Sequence, residues 1–365
     1  MTTPMRLSTR VYRVPTDAPE ADGTLAWSQT TLVLVEASHE GTTGIGYSYG
    51  PAAVASVVAD LLAPTLAGTD LDADDVPSAW LAMQRRLRNA GRPGIAGLAL
   101  SAVDCALWDL KARRHGLALA RLLGMVRPAV PVYGSGGFTT YDAERQRRQL
   151  AGWVHDDGIP RVKIKIGESW GRRVDRDLER IAQARDTIGA DAELYVDANG
   201  AYHRKQAIRV LSAAADRDVR WFEEPVSSDD HDGLALVRDH VAADVAAGEY
   251  GYDLAYFHRL APVVDCLQVD VTRCGGISEF LRIAAVAAGH GLEVSTHCAP
   301  HQHLAVASAV PNLRHSEWFH DHARIESMLF DGAVAATGGS APVNRDEPGN
   351  GLRLREREAQ PFRIG

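Results

Sequence analysis

The fold is decided by three stretches that recur at equal spacing: ELYVDAN (193–199), VRWFEEP (219–225) and DVAAGE (244–249). Each is a short apolar run that ends in acidic residues, and a stretch of helical length follows each one. Asp197, Glu223 and Glu249 are separated by 26 residues at each step, which is one strand and one helix per carboxylate. Short strands that alternate with helices indicate a parallel sheet.

Five similar runs flank these three on either side: VPVYGSG (130–136), VKIKIG (162–167), CLQVDV (266–271), EVSTHC (293–298) and RHSEWF (314–319). Eight strands with mostly helical connections predict a closed parallel barrel of the TIM type. A doubly wound sheet is the alternative, but it would carry a G-x-G-x-x-G motif after its first strand. Neither GSGG (134–137) nor GTTGIGYSYG (41–50) has that spacing, so the barrel is favoured.

The N-terminal part has a different pattern. It predicts strands over residues 5–14, 29–37 and 44–49, with a hairpin turn at His39-Glu40-Gly41. Residues 15–28 are rich in Pro, Gly and Asp and predict a polar loop. Helical spacing follows from residue 52 to 124 and is clearest over 94–110. The predicted domains are an α+β N-terminal capping domain (1–125), a barrel (126–343) and a C-terminal segment that returns to the capping domain (344–365).

Composition excludes several classes of protein. The 365 residues carry a net charge of −8, so no basic surface for nucleic acid is expected. The start of the chain lacks the apolar core of a signal peptide, and no apolar run is long enough to span a membrane. Four cysteines do not form a disulfide framework in a chain of this length. We expect a cytoplasmic homo-oligomer that acts on a small molecule.

Ionisable residues stand near the C-terminal ends of seven of the eight predicted barrel strands, although such strands are buried on both faces. They are Lys163, Lys165, Asp197, Glu223, Glu249, Asp270, His297 and Glu317. The active sites of these barrels lie at that end. Carboxylates on adjacent strand ends repel each other unless a cation lies between them, and oxygen ligands alone favour Mg²⁺.

Two other interpretations of these residues were weighed. Each acid could pair with a cation from a neighbouring helix, but three acids in register beside two lysines and a histidine favour one shared site. His297, His301 and His303 beside Cys298 could suggest zinc. That spacing requires a helix at His297, where EVSTHC predicts a strand.

The segments KIKIG, YVDANG, FEEP, AAGE, QVDVTRCGG, STHC and HSEW resemble the successive strand ends of the mandelate racemase/muconate lactonizing enzyme family of the enolase superfamily. The helix SAVDCALWDLKARRHGLALARLLG is similar to the segment that leads into that family's barrel. The resemblance covers essentially the whole chain. It implies an α+β capping domain over a modified (β/α)7β barrel.

The resemblance also implies roles for the strand-end residues. Asp197, Glu223 and Glu249 would be the Mg²⁺ ligands. Lys165 would be a base on one face of the substrate, and its neutral form would be favoured by Lys163 and the dication. His297, oriented by Asp270, would act as acid or base on the other face.

Further residues are expected to contact a carboxylate substrate. Lys163 would contact its carboxylate, Glu317 would be protonated and donate a hydrogen bond to it, and Asn199 would contact the α-hydroxyl. Arg273 would pair either with a distal substrate group or with a neighbouring acid. Trp27, Tyr47 and Tyr49 are candidates for the capping-domain side of the cleft, although the two tyrosines could simply be strand residues.

Removal of the proton α to the carboxylate is the expected chemistry, through an enediolate. Dehydration of a sugar acid to a 2-keto-3-deoxy acid is favoured, because the stretch 17–28 is polar and suits a polyhydroxylated chain. Racemisation or epimerisation of a 2-hydroxy acid and cycloisomerisation of a sugar lactone are alternatives in the same site. A sugar-acid binding protein that has lost catalysis is the alternative from another class.

Overall fold

The structure is a computed structural model that describes residues 5–67 and 72–365. Its first element is an antiparallel sheet of three strands. Its strands pair in the order β1 (Arg6–Ala21), β2 (Ala26–His39) and β3 (Thr42–Tyr49). Glu40 and Gly41 connect β2 to β3, and both have positive φ values, of 48° and 81°. That conformation is typical of tight hairpin turns, so the predicted turn is confirmed.

The polar loop predicted over residues 15–28 is wrong in most of its length. β1 and β2 stay paired beyond Val14, from Pro15 opposite Gln29 to Ala21 opposite Ala26, with a shift of register between Pro15 and Glu20. Proline has no backbone N–H to donate. It is tolerated there because β1 is an edge strand that pairs with β2 on one side only, so the other side needs no hydrogen bonds to a neighbouring strand. The shift absorbs the extra residues as a bulge does.

A helical layer covers one face of this sheet. It comprises α1 (Ala53–Val57), a π-helical turn (Val58–Leu62), α2 (Ala63–Ala67), α3 (Val76–Arg86), a 3₁₀ turn (Leu87–Asn89), α4 (Ile95–Arg114) and α5 (Leu119–Leu122). α4 is buried along nearly all its length, and β3 approaches it closely at Gly46. A Cβ atom at Gly46 would lie 2.3 Å from the carbonyl oxygen of Ala102, so only glycine permits this contact.

Eight parallel strands form the closed barrel, because the last strand pairs with the first. They are β4 (Ala129–Gly136), β5 (Arg161–Lys165), β6 (Glu193–Asp197), β7 (Val219–Glu223), β8 (Asp244–Ala247), β9 (Cys266–Val269), β10 (Glu293–Thr296) and β11 (Leu313–Phe319). All eight coincide with the predicted strands to within a few residues. Each strand is buried on both faces, with an apolar layer of side chains toward the helices.

Helices lie on the outside of the barrel between successive strands. They are α6 (Ala143–Ala151) with a π-helical turn (Gly152–Asp156), α7 (Glu168–Gly171), α8 (Val174–Ile188), α9 (Arg204–Ala213) with a 3₁₀ turn (Ala215–Arg217), α10 (His231–Arg238), α11 (Leu254–Leu260) with a 3₁₀ turn (Ala261–Val263), α12 (Ile277–Gly289) and α13 (Pro300–Ala309). α14 (His320–Leu329) follows β11 directly. Within residues 5–67 and 72–365, no helix has both the length and the apolar character needed to cross a membrane.

The chain after α14 contacts both earlier parts of the protein. It contains β12 (Phe330–Asp331) and β13 (Ser340–Pro342), which precede the predicted C-terminal segment (344–365), and then β14 (Arg353–Leu354), α15 (Glu356–Ala359) and a 3₁₀ turn (Gln360–Phe362) within it. β13 pairs antiparallel with barrel strand β4, and β14 pairs with β12. The end of the chain hydrogen-bonds to Val11 of β1 through Ile364 and Gly365. The domain boundaries at residues 125 and 343 stay predictions.

Candidate active site

Three carboxylates converge at the C-terminal ends of adjacent barrel strands. Asp197 ends β6, Glu223 ends β7, and Glu249 follows β8 by two residues. One oxygen of each lies within 4.8 Å of the other two, and all three side chains are buried. The Oε2 atom of Glu249 is buried and makes no hydrogen bond within the described residues, although His297 Nε2 lies 3.3 Å from it. Such an all-oxygen set fits a hard divalent cation.

Two lysines of β5 extend toward these carboxylates from the same face of the strand. The Nζ atom of Lys163 lies 2.5 Å from Glu223 Oε1 and 2.7 Å from Glu317 Oε1. The Nζ atom of Lys165 lies 2.5 Å from Asp197 Oδ2. Burial lowers the pKa of Lys165, but the carboxylates of Asp197, Glu223 and Glu249 together outweigh burial and raise that pKa above its usual value. The neutral Lys165 expected beside Lys163 and a bound dication stays a prediction.

His297 and Asp270 form a hydrogen-bonded pair on the far side of the barrel mouth. The Nδ1 atom of His297 lies 2.8 Å from Asp270 Oδ2. The other oxygen of Asp270 accepts hydrogen bonds from the backbone N–H and the hydroxyl of Thr272, both at 2.7 Å. Burial lowers the pKa of His297, but the Glu249 carboxylate and the Asp270 hydrogen bond outweigh burial and raise it. Asp270 therefore holds the proton on Nδ1 and leaves Nε2 for proton transfer.

Glu317 is an acceptor in this structure and not the protonated donor that was expected. Its Oε1 atom accepts from the Ser135 hydroxyl at 2.6 Å, and its Oε2 atom accepts from the backbone N–H of Cys298 at 2.6 Å. Burial raises the pKa of Glu317, but Lys163, His297 and Lys165 together outweigh burial and hold that pKa well below its usual range. An ionised carboxylate is what these donors require.

A cavity of about 340 Å³ opens above these groups, between the barrel and the antiparallel sheet. Six of the predicted site residues line it, namely Trp27, Lys165, Asn199, Glu249, Arg273 and His297. Four others are fully or almost fully buried and do not line it: Lys163, Asp197, Glu223 and Glu317. Asp270 is also absent from the lining and lies behind His297. The structure thus brings the strand-end residues together in two layers, one at the cavity and one beneath it.

Tyr47 is a correction to the predicted site. Its side chain is fully buried and stacks on Phe330 with ring centroids 5.3 Å apart, away from the cavity. Tyr49, two residues later on the same strand, lines the cavity instead. Sequence alternation places both tyrosines on the same face of β3, but it does not tell which of them reaches the barrel mouth.

Arg273 contacts neighbouring acids, which favours that interpretation over a distal substrate group. Its guanidinium donates to the carbonyl oxygen of Glu249 at 3.1 Å and lies 3.5 Å from Asp270 Oδ2. It also packs over the ring of Tyr250. Asn199 is held by its backbone, whose N–H donates to Asp197 Oδ1 at 2.9 Å.

Several site residues adopt backbone conformations that no sequence pattern indicates. Asn199, Glu224, Cys298 and Ala299 have positive φ values between 36° and 49°, although none is glycine. Each stands just after the end of a barrel strand, where it turns the chain outward beside the site. Backbone strain of this kind is concentrated at functional sites.

Other cavity residues were not singled out in the sequence. They are Leu25, Gln29, Thr30 and Thr31 of the hairpin formed by β1 and β2, Phe319 at the end of β11, and His322 of α14. His322 lies in the first turn of α14. The polar composition of the stretch 17–28 was the signal available for the hairpin residues, but it could not place them without the register of β1 and β2.

The fold and the site together define a barrel protein with a capping domain. In its site, three carboxylates that fit a cation meet between a lysine and a histidine–aspartate pair. Residues 6–124 match the family described as mandelate racemase/muconate lactonizing enzyme, N-terminal domain. Residues 145–359 match the family described as enolase C-terminal domain-like.

Two characterised enzymes are similar over most of the chain. The 3,6-anhydro-alpha-L-galactonate cycloisomerase of Streptomyces coelicolor is 33% identical, over 96% of each chain. The L-talarate/galactarate dehydratase of Salmonella typhimurium is 31% identical, over 84% of this chain and 78% of its own.

Two solved structures are also similar over nearly the whole chain. A mandelate racemase/muconate lactonizing enzyme-like protein from Rubrobacter xylanophilus is 49% identical with a TM-score of 0.94, over 98% of this chain and 99% of its own. A racemase from Streptomyces coelicolor A3(2) with bound magnesium is 31% identical with a TM-score of 0.91, over 98% and 99%. The chain belongs to the mandelate racemase/muconate lactonizing enzyme family of the enolase superfamily and is an enzyme.

Proposed function

We propose that this enzyme removes the proton α to the carboxylate of a sugar acid and expels the β-oxygen, giving a 2-keto-3-deoxy acid. The observation that carries the proposal is the position of Lys165 and His297, which line one cavity from strands β5 and β10 beside Glu249. In a closed barrel of eight strands, β5 and β10 lie far apart around the circumference. Two proton-transfer groups can therefore reach a bound substrate from different sides.

We propose Mg²⁺ as the cofactor, held by Asp197, Glu223 and Glu249. The donor set fits, since three buried carboxylates meet within 4.8 Å and the Glu249 Oε2 atom makes no hydrogen bond. The similarity to a racemase solved with bound magnesium supports the same choice. Bound Mg²⁺ supplies positive charge where the substrate carboxylate gains negative charge.

Protein groups then perform the proton transfers. Lys165 takes the α-proton once its pairing with Asp197 is relieved, and His297 donates a proton from Nε2 to the departing oxygen. Asp270 keeps the His297 ring oriented and stabilises its protonated form. Hydroxide is a poor leaving group without such a donor, so His297 is essential for elimination.

The polar upper wall of the cavity supports a sugar acid as the substrate class. Gln29, Thr30, Thr31 and Asp22 line that side beside Leu25 and Trp27, and these four polar side chains can form hydrogen bonds with hydroxyl groups. The dehydratase and cycloisomerase relatives are named for galactarate and anhydrogalactonate, which are both sugar acids. Cycloisomerisation is the second candidate, because the relative with that name matches over 96% of this chain.

Turnover of acid sugars in D₂O tests the proposal. The enzyme with Mg²⁺ should convert a sugar acid from a panel of aldonates, aldarates and anhydroaldonates to a keto acid that carries deuterium at the new C3 position. His297→Asn should abolish keto-acid formation, yet exchange of the α-proton should persist because Lys165 is intact. Inverted product with deuterium at the α-carbon and no keto acid would establish a racemase instead.

A further inference from the structure

His322 presents a neutral imidazole to the cavity in a fixed tautomer. Its Nδ1 atom accepts a hydrogen bond from the backbone N–H of Ala299 at 3.2 Å, so the proton of the ring resides on Nε2. Burial and then the nearby His297 lower the pKa of His322 to about 3, so the ring stays neutral under ordinary conditions. Within the described residues, no protein group accepts a hydrogen bond from Nε2.

The ring is held rigidly. It stacks on Tyr49 with centroids 3.4 Å apart and planes 11° from parallel, and it meets Phe319 edge to face at 4.9 Å. The Tyr49 hydroxyl is itself anchored on Glu326 at 3.2 Å. A donor held in this way loses little conformational freedom when it binds a ligand.

His322 also lies where the hairpin meets the barrel. Its neighbour Asp321 accepts a hydrogen bond from Thr30 of β2, and Thr30 lines the cavity beside His322. Lys165 and His297, the residues proposed to transfer protons, line the same cavity from the barrel side. A substrate that fills the cavity therefore reaches from the reacting carbon toward the hairpin and His322.

We propose that the Nε2–H group of His322 donates a hydrogen bond to a hydroxyl or ring oxygen of the sugar acid beyond the reacting carbons, and so selects polyhydroxylated substrates. The inference rests on the proposed function and deepens it. An aryl side chain leaves this buried donor unpaired, which disfavours such substrates. His322 thus determines specificity and does not take part in the proton transfers.

The test compares His322→Phe with wild type on galactarate, D-gluconate and 3,6-anhydro-L-galactonate. Phe keeps the stack on Tyr49 and removes the donor. On the acid with the highest turnover, kcat/KM should fall about 10- to 100-fold through KM, with kcat nearly unchanged. His322→Asn, which keeps a short N–H donor, should recover part of the loss and provides a second variant if the Phe protein misfolds.

Two controls separate specificity from structure. His320→Phe changes a partly exposed histidine of the same helix and should leave KM unchanged. The second control uses analogues of the same acid that each lack one hydroxyl beyond C3. On the analogue without the hydroxyl that His322 binds, wild type and His322→Phe should have equal kcat/KM.

Three outcomes would overturn the inference. One is an unchanged KM in His322→Phe with a normal thermal unfolding profile. Another is an equal loss on the parent acid and on every deoxy analogue. Absence of turnover of any sugar acid by wild type would instead overturn the proposed function, and the inference with it.

Discussion

Replacing Asp270 by asparagine should trap His297 in the wrong tautomer. The Oδ1 atom of Asp270 accepts two hydrogen bonds from Thr272, from its N–H and its hydroxyl, both at 2.7 Å. In Asp270→Asn the amide oxygen must occupy that position, because an NH₂ group there would face two donors. The NH₂ group then faces His297 Nδ1 and makes it an acceptor. The ring proton moves to Nε2, and Nδ1 can no longer carry the second proton that would make the ring an imidazolium able to donate from Nε2.

The size of the loss follows from how often the amide flips. The flipped rotamer restores the correct tautomer but leaves both Thr272 donors unpaired, at about 1–2 kcal/mol each. A total of about 2–4 kcal/mol limits the flipped fraction to about 3% to 0.1%, since about 1.4 kcal/mol is a factor of ten. The rate of keto-acid formation should therefore fall about 30- to 1,000-fold.

A second substitution tests the cause directly. Thr272→Val removes one of the two donors, lowers the cost of the flip and should restore part of the rate in the Asp270→Asn background. Asp244→Asn is the matched control, because Asp244 begins β8 at the opposite end of the barrel, where it pairs with Arg314 at 2.6 Å. That variant should turn over at the wild-type rate.

Steady-state kinetics of keto-acid formation and α-proton exchange in D₂O are the assays. Exchange should survive in Asp270→Asn, because Lys165 lies on another strand and needs no help from Asp270. A loss of less than tenfold in keto-acid formation would refute the tautomer argument. So would a double variant that is no faster than Asp270→Asn alone.

Two further predictions concern metal and stability. Glu223→Gln removes a carboxylate of the proposed cation site. The Mg²⁺ affinity of this variant, measured by calorimetry, should fall by more than the roughly 10- to 100-fold that is typical when a residue next to a metal ligand is changed. A chelator should abolish wild-type activity reversibly, and full activity in verified metal-free protein would contradict the prediction. Burial, with Asp321 nearby, raises the pKa of Glu20 to about 8 from 4.5. Folded protein then holds this proton more tightly than unfolded protein, so stability is full below pH 4.5 and declines as pH rises through 8. The free energy of unfolding in urea should be the same for Glu20→Gln and wild type at pH 5, and it should be higher for Glu20→Gln by up to a few kcal/mol at pH 8.5. Glu358→Gln, on the exposed tail, is the control and should have the wild-type free energy at both pH values. Equal unfolding curves for Glu20→Gln and wild type at pH 8.5 would contradict the burial argument.

The barrel could be predicted from the sequence because its signal is local and repeated. Each strand is a short apolar run, and an ionisable residue on a strand buried on both faces has few explanations other than a site. The spacing of 26 residues placed Asp197, Glu223 and Glu249 at one rim, and the structure brings them within 4.8 Å. Their metal and catalytic roles stay predictions.

The hairpin that covers the site could not be predicted, because its register depends on pairing between distant residues. Pro15 and the acidic residues after it look like loop residues in isolation, yet an edge strand with a shifted register accepts them. The same limit explains why the sequence could not tell that Tyr49 and not Tyr47 lines the cavity. Both lie on one face of β3, and their different surroundings are set by Phe330 and His322, which come from far along the chain.

The protonation states of buried groups could not be predicted from the sequence for a related reason. The sequence gives the charges on one strand, whereas a buried charge is controlled by the strands opposite. Glu317 was expected to be neutral among carboxylates, but the Lys163 ammonium and the Cys298 N–H group meet it directly. Lys165 was expected to be neutral beside Lys163 and a bound dication, and its Nζ atom lies 2.5 Å from Asp197 Oδ2, a carboxylate that the sequence pattern did not pair with it. A cation bound by Asp197 would compete for that carboxylate, so binding of the metal and release of Lys165 as a base are linked in this arrangement.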